Sequence, residues 1–281
     1  MPEASHGIRR KSPLEPAVYS KYRLSSYFRA VTAQAPRQKV PGRIFLTRPV
    51  GNTDVTIVSV IEVREYITEA GKSPFGKWFA GLNGTAAAKV TIALERVARG
   101  NLSNAKAVGG GVSEYKIDFG PGYRVYFGQD GATLVILLCG GSKKGQSEDI
   151  ENAREKWADY KKRKREEAKR EIAMPLTKDF RETIRDRAQR DASFRRALLS
   201  EAVELLLSGD VETGQSVMRN YINATVGFHE LAERIHTPEK SLMRMFGPKG
   251  NPSSHNMFGV IAELAKAEGV NFLLKARPAH A

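Results

Sequence analysis

Hydrophobic and polar positions change texture three times along the 281-residue chain. Residues 1–54 carry no sustained period and are interrupted by Pro2, Pro13, Pro16, Pro36, Pro41 and Pro49, so they are expected to be a disordered basic extension. A basic RNA-binding arm and an extension from an upstream start codon are the alternatives. From Thr56 the run VTIVSVIEV reads as a strand. SPFGKWFAGL and TAAAKVTIALERVARG then read as a helical hairpin, with Trp78, Phe79 and Leu82 on one apolar face and Val90, Leu94 and Val97 on the other. The junction Leu82-Asn83-Gly84-Thr85 supplies a turn and an N-cap.

Beyond Gly109-Gly110-Gly111, three strand-like runs follow: VSEYKIDFG, YRVYFGQ and TLVILLCG. They are joined at Pro121-Gly122 and Asp130-Gly131, the latter a two-residue hairpin signal. Alternation puts Tyr115, Ile117 and Phe119 on one face, and Glu114, Lys116 and Asp118 on the other. On the next strand Tyr123, Val125 and Phe127 oppose Arg124 and Tyr126, which predicts one core face and one charged face on an antiparallel sheet. A charged helix follows Gly145, docked through Ile150, Ala153, Trp157 and Tyr160 and solvated beyond Tyr160.

Met174-Pro175 opens an all-helical half. Phe180, Ile184 and Ala188 mark one helix, Phe194–Leu207 a second and Val211–Asn223 a third. Two more helical patterns, an Asn-Pro-Ser junction and a last helix, MFGVIAELAKAEGV, complete it, with a strand expected at most at Asn271–Leu274. Within this half, a helix-turn-helix fits residues 228–246. Ala232 stands at the helix crossing, Leu231, Ile235, Leu242 and Met245 point inward, Thr237 caps the second helix and Pro238 opens it. His236 occupies the turn position where Gly is commonest, and His tolerates positive φ better than a β-branched residue. Glu239, Lys240, Ser241 and Arg244 are then available to bases and Lys249 to a phosphate.

Composition narrows the partners. With 45 Lys and Arg against 31 Asp and Glu, a net charge of +14 favours polyanions. The one cysteine, Cys139, excludes a disulfide framework or thiolate metal cluster and fits a reducing cytoplasm. No run is long enough to span a bilayer, so no membrane partner is expected.

Two resemblances follow from these residues. The stretch GFHELAERIHTPEKSLMRMFGPKGNPSSHNMFGVIAELAKAEGV resembles HigA-like addiction-module antidotes, whose Cro-like helix-turn-helix represses their own operon. Residues 57–160, through FGKWFAGL, GPGYRVYF and LLCGGSKKGQ, resemble HigB-like killers of the RelE/ParE superfamily. The implied fold is an α+β RelE-like toxin domain, a helical hairpin on a small antiparallel sheet, followed by an all-α helix-turn-helix domain. The implied domains are 55–160 for the toxin, 161–175 for a charged helical linker and 176–281 for the antitoxin.

No histidine lies between Thr56 and Gln146, which excludes a two-histidine ribonuclease or histidine-ligated metal in that unit. Metal-free and cofactor-free cleavage by the 2′-hydroxyl remains. Arg124 and Lys144 are expected to stabilise the transition state and Lys116 or Asp118 to assist proton transfer. Lys143 and Tyr126 are candidate RNA contacts, although a solvated surface charge is the plainer reading of Lys143. The resemblance supports Lys116, Arg124 and Lys144. Asp118, where related nucleases often have a second basic residue, and Ile150, where some have a tyrosine, depart from it.

The expected partners are mRNA with the ribosome, operator DNA, the antitoxin half in cis, and a second copy through the helical half. A catalytically inactive transcriptional regulator and a gyrase poison are the rival readings.

Overall fold

The computed structural model describes residues 61–132, 134–167 and 175–273, all within one compact unit. The expected extension 1–54, the strand start at 56–60, linker residues 168–174 and Leu274 lie outside the described residues. The fold is α+β, with a mixed six-stranded sheet and, among the described residues, nine α-helices.

Strand β1 (Glu62–Tyr66) leads into α1 (Pro74–Ala80), which Ser73 caps by accepting from the Gly76 amide. Asn83 likewise caps α2 (Gly84–Ala98) through the Ala86 amide, so the foreseen hairpin turn and cap are one Asn-Gly step. Strands β2 (Ala105–Gly109), β3 (Val112–Ile117), β4 (Tyr123–Asp130) and β5 (Leu134–Ser142) form an antiparallel meander, and β1 joins it parallel to β5. A purely antiparallel sheet was the expectation. The parallel pair arises because the α1–α2 hairpin and the meander carry the chain back beside β1, a separation that strand periodicity does not encode.

Two local expectations also change. Ala105–Gly109 pairs with β3, and Gly109, Gly110 and Gly111 all hold positive φ to turn that hairpin beneath Arg154 and Trp157. Asp130 pairs with Leu134, and among non-glycine described residues only His236 has positive φ, so the β4–β5 connection is longer than a two-residue Asp-Gly turn.

A 3-10 turn (Lys143–Gly145) leads into α3 (Gln146–Glu167), which packs across the sheet face expected to carry exposed charge. Tyr126, Ile136, Leu138, Ala153, Trp157 and Tyr160 make a second core there, and five consecutive residues of β4, Arg124–Gly128, are buried. Past Tyr160 the helix is exposed as expected at Lys161, Lys162, Lys164, Arg165 and Glu166, with one exception. Arg163 is buried and donates to the Ile67 carbonyl at 2.6 Å, while Lys164 pairs with Asp130.

A short strand, β6 (Thr177–Asp179), then pairs antiparallel with β1 and adds the second half of the chain to the sheet. Helices α4 (Phe180–Arg190), α5 (Ala192–Leu207) and α6 (Val211–Ala224) follow at the expected places, then α7 (Phe228–Arg234), α8 (Glu239–Met245) and α9 (Ser254–Glu268). Residues 271–273 form no strand. The main core runs without a break from Ile61, Phe79 and Leu94 through Phe194, Leu198 and Tyr221 to Leu242 and Leu264. No helix among the described residues is long and apolar enough to cross a membrane.

Candidate functional site

At one end of the sheet, Lys116, Arg124 and Gly141 are aligned partners across β3, β4 and β5. The Ile117–Tyr123–Ser142 rung lies just beyond, and the Lys143 amide bonds the Gly122 carbonyl at 3.0 Å. The register therefore gathers Lys116, Arg124, Lys143 and Lys144 at one sheet end. Their surroundings differ. Lys143 and Lys144 are exposed, and Lys116 is exposed but paired with Asp118 at 2.7 Å.

Arg124 is buried, 6% exposed, with its Nε 3.3 Å from Glu114 Oε1. Gln146 donates to the other oxygen of Glu114 at 2.8 Å, and the Asp149 carboxylate sits over Gly141 where a side chain would otherwise stand. Within this pocket the Nε and Nη1 of Arg124 and the hydroxyl of Tyr126 make no hydrogen bond. Tyr126 is fully buried, so the expected RNA-facing ring is a core residue. Burial, with Glu114 and Asp149 nearby, pushes its hydroxyl pKa up. Alternation alone could not reveal this, because the lid, α3, comes from outside the meander.

The opposite face of β3 opens on a crevice of about 370 Å³ between α2 and α5, lined by Lys116, Asp118, Lys89, Arg96, Glu201 and Glu204. Across it, α2 and the second half meet by charge. Lys89 pairs with Glu201 at 2.7 Å, Arg96 with Asp210 at 3.0 Å, and Arg99 with Glu212. Burial raises the Glu201 carboxyl pKa, opposed by Lys89, whereas the Thr213 and Arg96 bonds outweigh burial and lower that of Asp210.

Behind these pairs, Glu95 is 1% exposed and accepts from Ser216 at 2.7 Å and Asn220 at 2.6 Å, with Arg181 at 3.9 Å. Arg187 of α4 caps the end of α1, donating to the carbonyls of Phe79 and, at 2.5 Å, Leu82. Neither Glu95 nor Arg187 was foreseen. The signal available for Glu95 was its place in a stripe of small residues, Ala88, Thr91, Glu95 and Ala98, at helical spacing on α2.

In the last third of the chain, α7 and α8 cross with Leu231 and Leu242 fully buried and Ala232 between them. His236 takes φ 53° in the turn. Pro238 is the residue before α8, not its first residue, and its carbonyl accepts from Ser241 and Leu242. The Thr237 hydroxyl bonds the Ile235 carbonyl at 3.3 Å, so the expected Thr237 cap is replaced by this turn contact. Glu239, Lys240, Arg244 and Lys249 are exposed and Ser241 half-buried. Ser241, Arg244 and Lys249 border one hollow with Asn251 and Asn256, and Glu239 instead approaches His229 at 3.5 Å.

No protein-family model and no solved structure matches the chain significantly. An uncharacterized protein of Haemophilus influenzae is 43% identical over 81 residues, which make up 28% of this chain and 82% of the Haemophilus protein. On that identity, across most of the relative's length, the chain belongs over those residues to the same family as this uncharacterized protein.

Proposed function

We propose that the chain is a fused toxin–antitoxin protein in which a RelE-like, HigB-like half is silenced in cis by a HigA-like half that binds operator DNA through α7 and α8. The observation that carries the reading is the charge-matched seam. Each basic residue that α2 turns towards the second half, Lys89, Arg96 and Arg99, meets an acid of α5, the loop after it or α6. Acidic side chains held against a basic face are what in-cis restraint of a polyanion-binding surface requires. The Nη1 of Arg124, which makes no hydrogen bond, fits a guanidinium kept for a phosphorane-like oxyanion and closed off by α3.

The exposed Lys240 and Arg244 beside Ser241 support a base-reading helix, with Lys249 on a phosphate. Phe258, 58% exposed on α9, supports pairing of two copies on a palindromic operator.

The test is binding of full-length protein to DNA from upstream of its own gene. Lys240→Ala with Arg244→Ala should weaken binding by about 2–6 kcal/mol in total, if each contact contributes about 1–3. Equal retention of that DNA and an unrelated duplex by both proteins would defeat the DNA reading.

A specific observation favours a second reading, a regulator whose nuclease-like half is inert. Arg124 is ion-paired to Glu114 beneath α3, and Lys116 to Asp118. Full-length protein carrying Glu201→Lys and Glu212→Lys distinguishes the two. Growth arrest that is abolished by adding Lys116→Ala and Lys144→Ala supports the silenced nuclease, and unimpaired growth with soluble, folded protein supports the inert regulator.

A further inference from the structure

A second basic hollow lies away from the Lys116–Lys144 sheet end. It has a volume of about 670 Å³ and is built from both halves of the chain: Lys72 comes from the loop before α1, Lys77 from α1, Lys178 from β6, and Thr183, Asp186 and Arg190 from α4. Four cations thus face one acid. On α2 every such cation has an acidic partner, whereas here Lys72, Lys77 and Arg190 have none among the described residues. Cations drawn from three elements repel one another unless an anion joins them.

The floor is also organised for polar contact. Lys178 is the aligned partner of Glu65 across β1 and β6 and reaches its carboxylate at 3.6 Å, while Ser73, the cap of α1, donates to that carboxylate at 2.5 Å. Thr183 is buried in the wall, with its hydroxyl beside the Glu65 carboxylate. Burial raises the Glu65 carboxyl pKa, opposed by Ser73, Thr183 and Lys178.

We propose that this hollow binds phosphate, with Lys72, Lys77, Lys178 and Arg190 as the charge. The phosphate is carried either by the backbone of single-stranded nucleic acid or by a free mononucleotide. Because the cations come from β6 and α4 as well as from α1 and the loop before it, the site exists only while the two halves are joined. It requires neither RNA cleavage nor operator binding.

The experiment uses full-length protein with a fluorescent oligouridine RNA in one arm and adenosine monophosphate or inorganic phosphate, at fixed ionic strength, in the other. The first arm reads anisotropy and the second thermal stability. Lys72→Ala, Lys77→Ala and Arg190→Ala combined should weaken RNA binding at least about tenfold and flatten the dependence of log affinity on log salt by about 2, at roughly 0.7 per lost phosphate contact.

All three side chains are exposed, and Lys178 is left in place because its loss would strand Glu65. Asp186→Asn should tighten binding and provides a gain-of-affinity check. Lys106→Ala with Lys162→Ala, two exposed lysines outside the hollow, should leave the RNA arm unchanged and serves as the control for loss of charge. A response in the RNA arm alone assigns the backbone, and stabilisation by the small phosphates assigns a free nucleotide. Wild-type protein responding in neither arm, or a triple variant binding as wild type does, overturns the site.

Discussion

Glu95 shows how one side chain can tie two halves together while storing a pH dependence. Burial raises its carboxyl pKa, with Arg181, Ser216 and Asn220 opposing, so the folded chain retains a proton that the unfolded chain releases above about pH 4.5. Stability associated with this group is full below that pH and declines as pH rises towards the folded pKa. Glu65 and Glu201 have the same sign. Glu95→Gln, which keeps an acceptor for α6, should make the loss of stability above pH 4.5 shallower in urea titrations run across pH. An unchanged slope would remove Glu95 from this account.

His236 is the other informative residue, holding φ 53° between α7 and α8. Left-handed backbone costs a residue with a Cβ about 1–2 kcal/mol. His236→Gly should therefore raise stability by about 0.5–1 kcal/mol, and His236→Val should lower it by about 1–2 kcal/mol, both read by urea unfolding.

At the level of elements, two tryptophans seat helices on glycines of the sheet. The Trp78 ring of α1 lies where a Gly140 side chain would be, at 2.2 Å from its ideal position, and the Trp157 ring of α3 lies over Gly128 at 2.4 Å. Neither ring can yield without moving its helix. Gly140→Ala and Gly128→Ala should each destabilise by about 1–3 kcal/mol, accompanied by a change in tryptophan emission. The Gly128 variant should also raise exposure of Arg124, since α3 covers both. Docking of α3 by Trp157 and Tyr160 was legible from their spacing. That the docked helix would close over Arg124 and Tyr126 was not, because a strand's alternation records two faces without recording what covers each.

For the molecule as a whole, the shared core and the β1–β6 pair predict joint unfolding. Helical circular dichroism, dominated by the second half, and fluorescence from Trp78 and Trp157, both in the first, should give coincident urea transitions. Two separated transitions would show that the halves are independent bodies and would reopen the possibility of releasing a folded first half. On the present core, residues 61–167 alone would expose the faces of α1 and α2 that now pack on Phe194, Leu198 and Tyr221, and should not remain monomeric and folded. Release of the first half then requires unfolding of the second.

Local order in this protein is written in local sequence. Helical spacing at Val90, Leu94 and Val97, the turn and cap in Leu82–Thr85, and the Pro121-Gly122 turn placed α2 and the β3–β4 hairpin, because each depends on side chains only a few positions apart. The chemistry-bearing residues were likewise visible as types: Lys116, Arg124, Lys144, Lys240 and Arg244 all stand out in the amino-acid sequence. Their accessibility was settled by contacts between distant segments. The parallel seating of β1 on β5, the strand Thr177–Asp179, the burial of Arg124 beneath α3 and the meeting of Lys72 with Arg190 each join residues far apart along the chain. Periodicity carries no information about such pairs, whereas close packing of a single core selects one arrangement of them.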